Sequence, residues 1–319
     1  MHCASPSRSV HSWARHVALS VLLPLLASGC TAPSAGPKED LGADAAPAPD
    51  LALPSVSPDQ GAADLGAAPD LWNPKAAATI ERGAIVRGPR DQKVLAVMYT
   101  GGDYADGGPT ILSELGRRGI KASFFFTGDF LRRAEYKTLI ERIRDEGHYI
   151  GAHSDKHLEY ASDDSPPKLL VTRAEFDEDV TRNLIELERF AIPRSAARVF
   201  LPPFEQYTPE IAAWTRARGM LLINYSEGTK SNADYLEDTA PSFISADAIV
   251  RSILAQEERA RDDGLRGFLL LMHIGVGPDR TRDRLYDRLG ALLDELARRG
   301  YRFARVDELL PMATWPPAP

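Results

Sequence analysis

The sequence predicts an α/β domain in which parallel strands close into a barrel covered by helices. Two observations carry this. Between Lys93 and Val306, short, continuously apolar runs alternate with longer stretches of helical period. Continuously apolar strands belong to parallel sheets buried on both faces, and repeated βα units supply the covering helices. About seven such units within one domain favour a closed barrel over an open sheet, and such barrels carry their sites at the C-terminal ends of the strands.

Taken in order, Lys93 to Tyr99 is the first apolar run, with glycines after it. Thr110 to Arg118 reads as a helix stopped at Gly119, and Lys121 to Phe126 as a buried strand. Tyr136 to Glu146 is helical and ends at Gly147. A short strand, Tyr149-Ile150-Gly151, follows. Thr172-Arg173-Ala174-Glu175 has the form of a capping box and opens a helix to Phe190, with Phe176, Val180, Leu184 and Leu187 on one stripe. Val199 to Leu201 is a strand, Pro209 to Arg218 a helix in which Trp214 packs, and Met220 to Tyr225 a strand. Ser245 to Arg259, Gly267 to His273, Arg280 to Arg299 and Tyr301 to Val306 read as helix, strand, helix and strand.

The domain occupies 78–312 of the 319 residues. Residues 1–30 have the form of an export leader. Arg8 and Arg15 precede the apolar run Val17 to Leu26, too short to span a bilayer. Small residues then lead to Cys30, as in a lipoprotein cleavage site, although Ala27 stands where a leucine is usual. An ordinary secretory leader is the alternative. The only other cysteine, Cys3, would leave with the leader, so neither a disulfide nor a thiolate metal site is expected. Residues 31–77 are rich in Ala, Pro, Asp and Gly, lack any period, and read as a disordered tether; 313–319 is a Pro-rich tail. The expected location is the bacterial cell envelope, periplasmic or on the cell surface. The net charge of −7 and pI near 5.6 show no nucleic-acid footprint.

Four histidines follow the leader: His148, His153, His157 and His273. His153 and His157 are four residues apart after a strand, so one helical turn there would aim both imidazoles at one point. Such a pair suits one divalent ion, zinc first, with nickel, cobalt or manganese as alternatives. His148 reads as a structural turn histidine. Asp155, between the pair, either orients one of its members or faces solvent. His273, Asp103 and Glu205 also follow strand ends.

Three segments resemble motifs of the polysaccharide deacetylases, carbohydrate esterase family 4: Lys121-Ala122-Ser123-Phe124-Phe125-Phe126-Thr127-Gly128, Glu146-Gly147-His148 through His157, and Leu271-Met272-His273. The resemblance implies a distorted (β/α)7-type barrel, a divalent metal, and hydrolysis of N- or O-linked acetyl groups on a cell-wall or extracellular polysaccharide. Two departures stand out. Thr100-Gly101 occupies the place of the family's paired aspartates, base and metal ligand, and Leu201 the place of the arginine that orients the base. The family's Trp and Asp set is not recognisable around Asn224 to Asp234. A rewired site would draw its third metal ligand from Asp103, with Asp106 as an alternative, since its loop starts from the strand that carries the family's ligand. Glu205, with Asp103 as the alternative, would be the base and His273 the acid, with backbone N–H groups near Phe204 facing the oxyanion. Phe204 and Tyr207 would form a sugar-stacking wall, or simply core. The competing reading is a non-catalytic carbohydrate-binding pseudoenzyme anchored at the cell surface.

The leader yields one direct test. Replacing Cys30 by Ser is expected to move the protein from the membrane fraction to the soluble one; continued membrane association would assign the anchor elsewhere.

Overall fold

The computed structural model describes residues 78–259 and 263–310, so the leader, Cys30, the tether and the tail lie outside the described residues. A seven-stranded sheet forms the centre. In chain order its strands are β3 (Val94–Gly101), β4 (Ser123–Phe126), β5 (Tyr149–Ala152), β6 (Val199–Phe200), β7 (Leu221–Leu222), β8 (Leu269–His273) and β9 (Arg302–Phe303). The spatial order is β7-β6-β5-β4-β3-β8, with β9 also on β3, and every pairing is parallel. The sheet curls into a half-barrel, the distorted (β/α) form expected. Its edges meet through Ser226 just past β7. The Ser226 N–H donates to the Leu269 carbonyl (3.0 Å), and its hydroxyl accepts from the Leu269 N–H (2.9 Å). A hairpin absent from the sequence reading, β1 (Thr79–Glu81) with β2 (Ala84–Arg87), lies against the end of β7, where the Asn224 N–H donates to the Ile85 carbonyl (2.9 Å).

Strand side chains alternate between the two faces of the sheet. One set packs inside the curl: Ala96 and Met98, Phe125, Tyr149, Val199, Leu221, and Leu269 with Leu271. The other set, with Val97, Tyr99, Phe124 and Leu270 among it, packs under the helices. These helices are α1 (Gly108–Arg117), α2 (Gly128–Arg132), α3 (Lys137–Asp145), α4 (Arg173–Glu188), α5 (Pro209–Ala217), α6 (Ala246–Glu258) and α7 (Leu289–Arg298). The capping box at Thr172 and Glu175 forms as the sequence predicts. Trp214 packs on Phe176 with ring centres 5.7 Å apart.

Two segments differ from the sequence reading. The helix expected from Arg280 begins only at Leu289. Arg280 is fully buried, and its guanidinium donates to the carbonyls of Leu236, Ile244 and Asp283. Those tertiary bonds hold its segment irregular despite its helical pattern. The last strand stops at Phe303 because α8 (Val306–Leu309) follows, capped by Arg305 and Glu308. Val306 and Leu309 enter the inner core, and the Val306 N–H donates to Ser123 Oγ (2.9 Å).

His148 is structural, as expected. Its Nδ1 accepts the Ala122 N–H (3.0 Å) between α3 and β5, and burial, reinforced by Lys121, lowers its pKa to about 4. A histidine held below its unfolded value stabilises the fold fully above about pH 6.5, and that contribution is lost as pH falls toward 4. The free energy of urea unfolding is therefore expected to decline across this window. His148→Gln, whose amide oxygen still accepts the Ala122 N–H, should make the decline shallower; an unchanged profile would assign the acid loss to other groups.

Candidate active site

Alternation decides which residues reach the mouth of the curl. Continuing the inward positions Ala96 and Met98 brings Thr100; Tyr149 and Gly151 lead to His153; Leu269 and Leu271 lead to His273. Thr100 and His273 are register partners on β3 and β8. The site is thus built from side chains one step above the apolar inner layer.

His153 and His157 come together, with ring centres 5.0 Å apart, although not through a helical turn. Residues 153–157 form an irregular bend in which Ser154 and His157 take positive φ of 70° and 53°. Helix α4 holds that bend. Asn183 Oδ1 accepts the His153 N–H (3.1 Å) while its Nδ2 donates to the Phe126 carbonyl (2.9 Å). One turn earlier, Asp179 accepts the Lys156 N–H (3.0 Å) and the Tyr160 hydroxyl. Asp155 is buried and turns to Arg132 (2.6 Å), so it anchors the bend to α2.

His153 Nδ1 lies 2.8 Å from the Leu201 carbonyl, which only accepts, so Nδ1 carries the proton and Nε2 keeps its lone pair. Burial lowers the pKa of His153 well below the usual range, with His157 and His273 adding to the effect. Burial and then His273 bring that of His157 to about 4. Both rings are therefore neutral near pH 7, the form that binds a divalent ion.

The third donor expected at Asp103 is not delivered. Its carboxylate is exposed and faces Arg133 at 3.6 Å, and its carbonyl accepts from Arg133 and the Tyr136 hydroxyl (2.8 Å each). Asp106 is also committed elsewhere: it accepts the N–H groups of Val276 and Gly277 and the Tyr286 hydroxyl. Among the described residues, no three of His, Cys, Asp and Glu are gathered closely enough to hold an ion. The space at Gly101 is also closed. A Cβ there would lie 2.8 Å from the Phe126 ring and 3.0 Å from Ile274.

Opposite the histidine pair, Asp234 holds His273. The Asp234 carboxylate accepts from His273 Nδ1 (2.7 Å) and from the His273 N–H (3.0 Å). Tyr235 packs on the His273 ring at 4.6 Å. Burial pulls the His273 pKa down, but Asp234, then Glu205, outweigh it and leave it raised. Asp234 was not among the candidate residues of the sequence reading, which found no Asp set recognisable around Asn224 to Asp234; the structure pairs it with His273. It lies in an irregular loop 39 positions before its partner, where no spacing rule connects the two.

Glu205 joins this group. Burial raises its carboxyl pKa to about 7; Asp234 adds to the rise and His273 opposes it. It sits on a turn after Pro202-Pro203 in which Phe204 and Glu205 both take φ of 56°. The Glu205 N–H donates to the Pro202 carbonyl (3.1 Å), and Asn224 Nδ2 donates to the Glu205 carbonyl (2.8 Å). Ser154, His157, Phe204 and Glu205 make four of the seven non-glycine residues with positive φ among the described residues. Each such residue costs roughly 1–2 kcal/mol, so backbone strain is concentrated where the chemistry-bearing side chains converge.

Phe204 packs on His157 at 4.4 Å and remains half-exposed, so it stays at the mouth. Tyr207 does not. It is fully buried, its hydroxyl donates to the Glu81 carbonyl (3.0 Å), and Arg82 covers its ring. The hairpin β1–β2, unread in the sequence, takes it into the core. Thr100 Oγ1 is buried beside His273 without a hydrogen-bond partner among the described residues.

Residues 87–223 match the family profile described as polysaccharide deacetylase. Two peptidoglycan-N-acetylglucosamine deacetylases of Bacillus cereus are similar in sequence. One is 24% identical over 225 residues, covering 70% of this chain and 70% of the relative; the other is 26% identical over 222 residues, covering 70% and 90%. A crystal structure of a peptidoglycan N-acetylglucosamine deacetylase superposes with a TM-score of 0.56 at 20% identity, over 70% of this chain and 91% of that one. A family 4 pseudoenzyme from Bacillus anthracis gives 0.55 at 18%, over 72% and 69%.

The Asp234–His273 pair has a measurable consequence. In Asp234→Asn, His273 is expected to lose its raised pKa and titrate at lower pH, as followed by NMR of its ring protons. An unchanged titration would show that Asp234 does not set its charge.

Proposed function

Because the chain is a divergent member of the polysaccharide deacetylase family, carbohydrate esterase family 4, whose hydrolases act on acetyl amides and esters, we propose that it removes N-acetyl groups from a cell-wall glycan of the peptidoglycan class. The observation that carries this reading is the convergence of Glu205 and the Asp234–His273 pair opposite the neutral pair His153 and His157. The sequence similarity to peptidoglycan deacetylases supports the substrate class. It also agrees with the expected export of the chain and its attachment to the envelope through lipidated Cys30.

His153 and His157 suit one divalent ion, zinc first, through ring nitrogens with free lone pairs. Such an ion would lower the pKa of water and polarise an acetyl carbonyl. As placed, Asp103 turns to Arg133 instead, so His153 and His157 would be the two protein groups that hold such an ion. Glu205 takes the proton of the attacking water as oxygen adds to the acetyl carbon. His273, whose pKa Asp234 raises, gives a proton to the sugar nitrogen as the C–N bond breaks, releasing acetate and an amine. Thr100 Oγ1, buried and without a hydrogen-bond partner among the described residues, is a hydrogen-bonding site for the attacking water. Glu205 replaces a base normally carried by β3 with one carried by the turn after β6. Phe204 flanks the sugar.

One observation favours the second reading, a glycan-binding pseudoenzyme: the described residues gather no third protein ligand. The two readings separate experimentally. On an N-acetylated glycan, Glu205→Gln is expected to lower turnover by about 10²–10⁴ with metal content unchanged, whereas His153→Ala/His157→Ala should abolish metal binding. Near-wild-type turnover in Glu205→Gln would refute the base assignment. Metal bound to the wild type without acetate release would favour the pseudoenzyme.

A further inference from the structure

A cavity of about 510 Å³ lies beside the mouth, between the β3–α1 loop, the start of α3 and the loop after β8. The chemistry above does not use it. Its walls include the rings of Tyr104 and Tyr136 and the side chain of Pro278, with Arg284 and Glu135 among them. Tyr104 is 43% exposed, and its ring is available to a ligand in the cavity.

The walls are preformed. Gly277 has φ of 78°, and a Cβ there would meet the Tyr104 ring at 2.6 Å, so only glycine lets that ring lie against the backbone. Asp106 ties the two loops together. Its Oδ1 accepts from the N–H groups of Val276 (2.9 Å) and Gly277 (3.2 Å), and its Oδ2 accepts from the Tyr286 hydroxyl (2.8 Å). The Tyr136 hydroxyl donates to the Asp103 carbonyl (2.8 Å), which pins the second ring to the same loop. Arg284 is tied through Nε to the Arg280 carbonyl (2.9 Å).

The cavity is also close to the site. Tyr104 lies four residues past Thr100, and Gly277 four past His273, so each wall is at most about 14 Å along the chain from its strand end. The Tyr136 ring is itself packed on Phe130 (4.6 Å) and covered by Arg133, so the free face is that of Tyr104. One such face with a few polar groups suits a ligand that is apolar on one face and rich in hydroxyls at its edge. That describes a pyranose. One arginine opposed by one glutamate does not suit a phosphate, which calls for clustered positive charge.

We propose that this cavity binds a pyranose unit of the same N-acetylated glycan, stacked on Tyr104, at a distance from the acetyl group being removed. The ligand class rests on the glycan reading above. The cavity takes over the role expected of Tyr207, which is buried in the core.

The test is calorimetric titration of the full chain, carrying Glu205→Gln so that the probe survives, with tetra-N-acetylchitotetraose and with di-N-acetylchitobiose. The tetrasaccharide is expected to bind more tightly. Adding Tyr104→Ala should weaken it by about tenfold, whereas Tyr104→Phe, which keeps the ring, should preserve binding and guard against a folding artefact. Equal affinity for the two probes, no binding of either, or a tetrasaccharide affinity indifferent to Tyr104→Ala would overturn the proposal. Acetate release by the wild type separates the two ideas. Release with length-independent binding sinks the cavity and keeps the deacetylase; Tyr104-dependent binding without release keeps the cavity and sinks the deacetylase.

Discussion

The period-two alternation of the parallel strands is the constraint on which the rest depends. Once Met98, Gly151 and Leu271 point into the curl, Thr100, His153 and His273 follow at its mouth. A slip of one residue in β5 would send His153 under the helices, among the set that includes Ile150 and Ala152. The register partners on β3 and β8 place Thr100 beside His273 for the same reason. Chemistry here is an extension of core packing by one more layer.

What the strands begin, irregular segments finish at a cost. The bend at Ser154–His157 and the turn at Phe204–Glu205 hold left-handed backbone in residues with side chains. Their compensation is visible in hydrogen bonds that are buried or partly buried: Asn183 and Asp179 from α4 to the bend, Asn224 to the turn, and Arg132 to Asp155. A buried carbonyl or N–H left without a partner costs about 1–3 kcal/mol, so these side chains matter to the site without touching substrate. Arg280 acts likewise on the Leu236 and Ile244 carbonyls, in the loop that begins just after Asp234.

The fold was legible because its strands are continuous apolar runs and its helices carry strong signals at their ends, such as Thr172 with Glu175 and the glycines after α1 and α3. The pair His153 and His157 was legible from spacing, although the spacing suggested a helical turn and the chain uses a strained bend. Asp179 and Asn183 had a readable signal: both are polar at positions in phase with the apolar stripe Phe176, Val180, Leu184 and Leu187. Asp234 had none, because long-range pairing from a loop leaves no period. Tyr207, read as either sugar wall or core, lies in the core because its environment is made by the β1–β2 hairpin, distant in sequence and short. Asp103 was placed from the strand it follows, but Arg133 and Tyr136 of the neighbouring segment decide where its loop goes.

The family's paired aspartates are missing and their space is closed at Gly101 by Phe126 and Ile274. A working site must therefore draw its base from elsewhere, and Glu205, half-buried on the turn after β6, is a carboxylate whose charge is coupled to that of His273. The pH dependence of kcat/KM for acetate release from an N-acetylated glycan tests that claim most directly. The account predicts a bell that rises through about pH 7 as Glu205 loses its proton and falls on the alkaline side as His273 loses its own. Full activity persisting well below pH 6 would contradict it, because a protonated Glu205 cannot accept the proton of the attacking water.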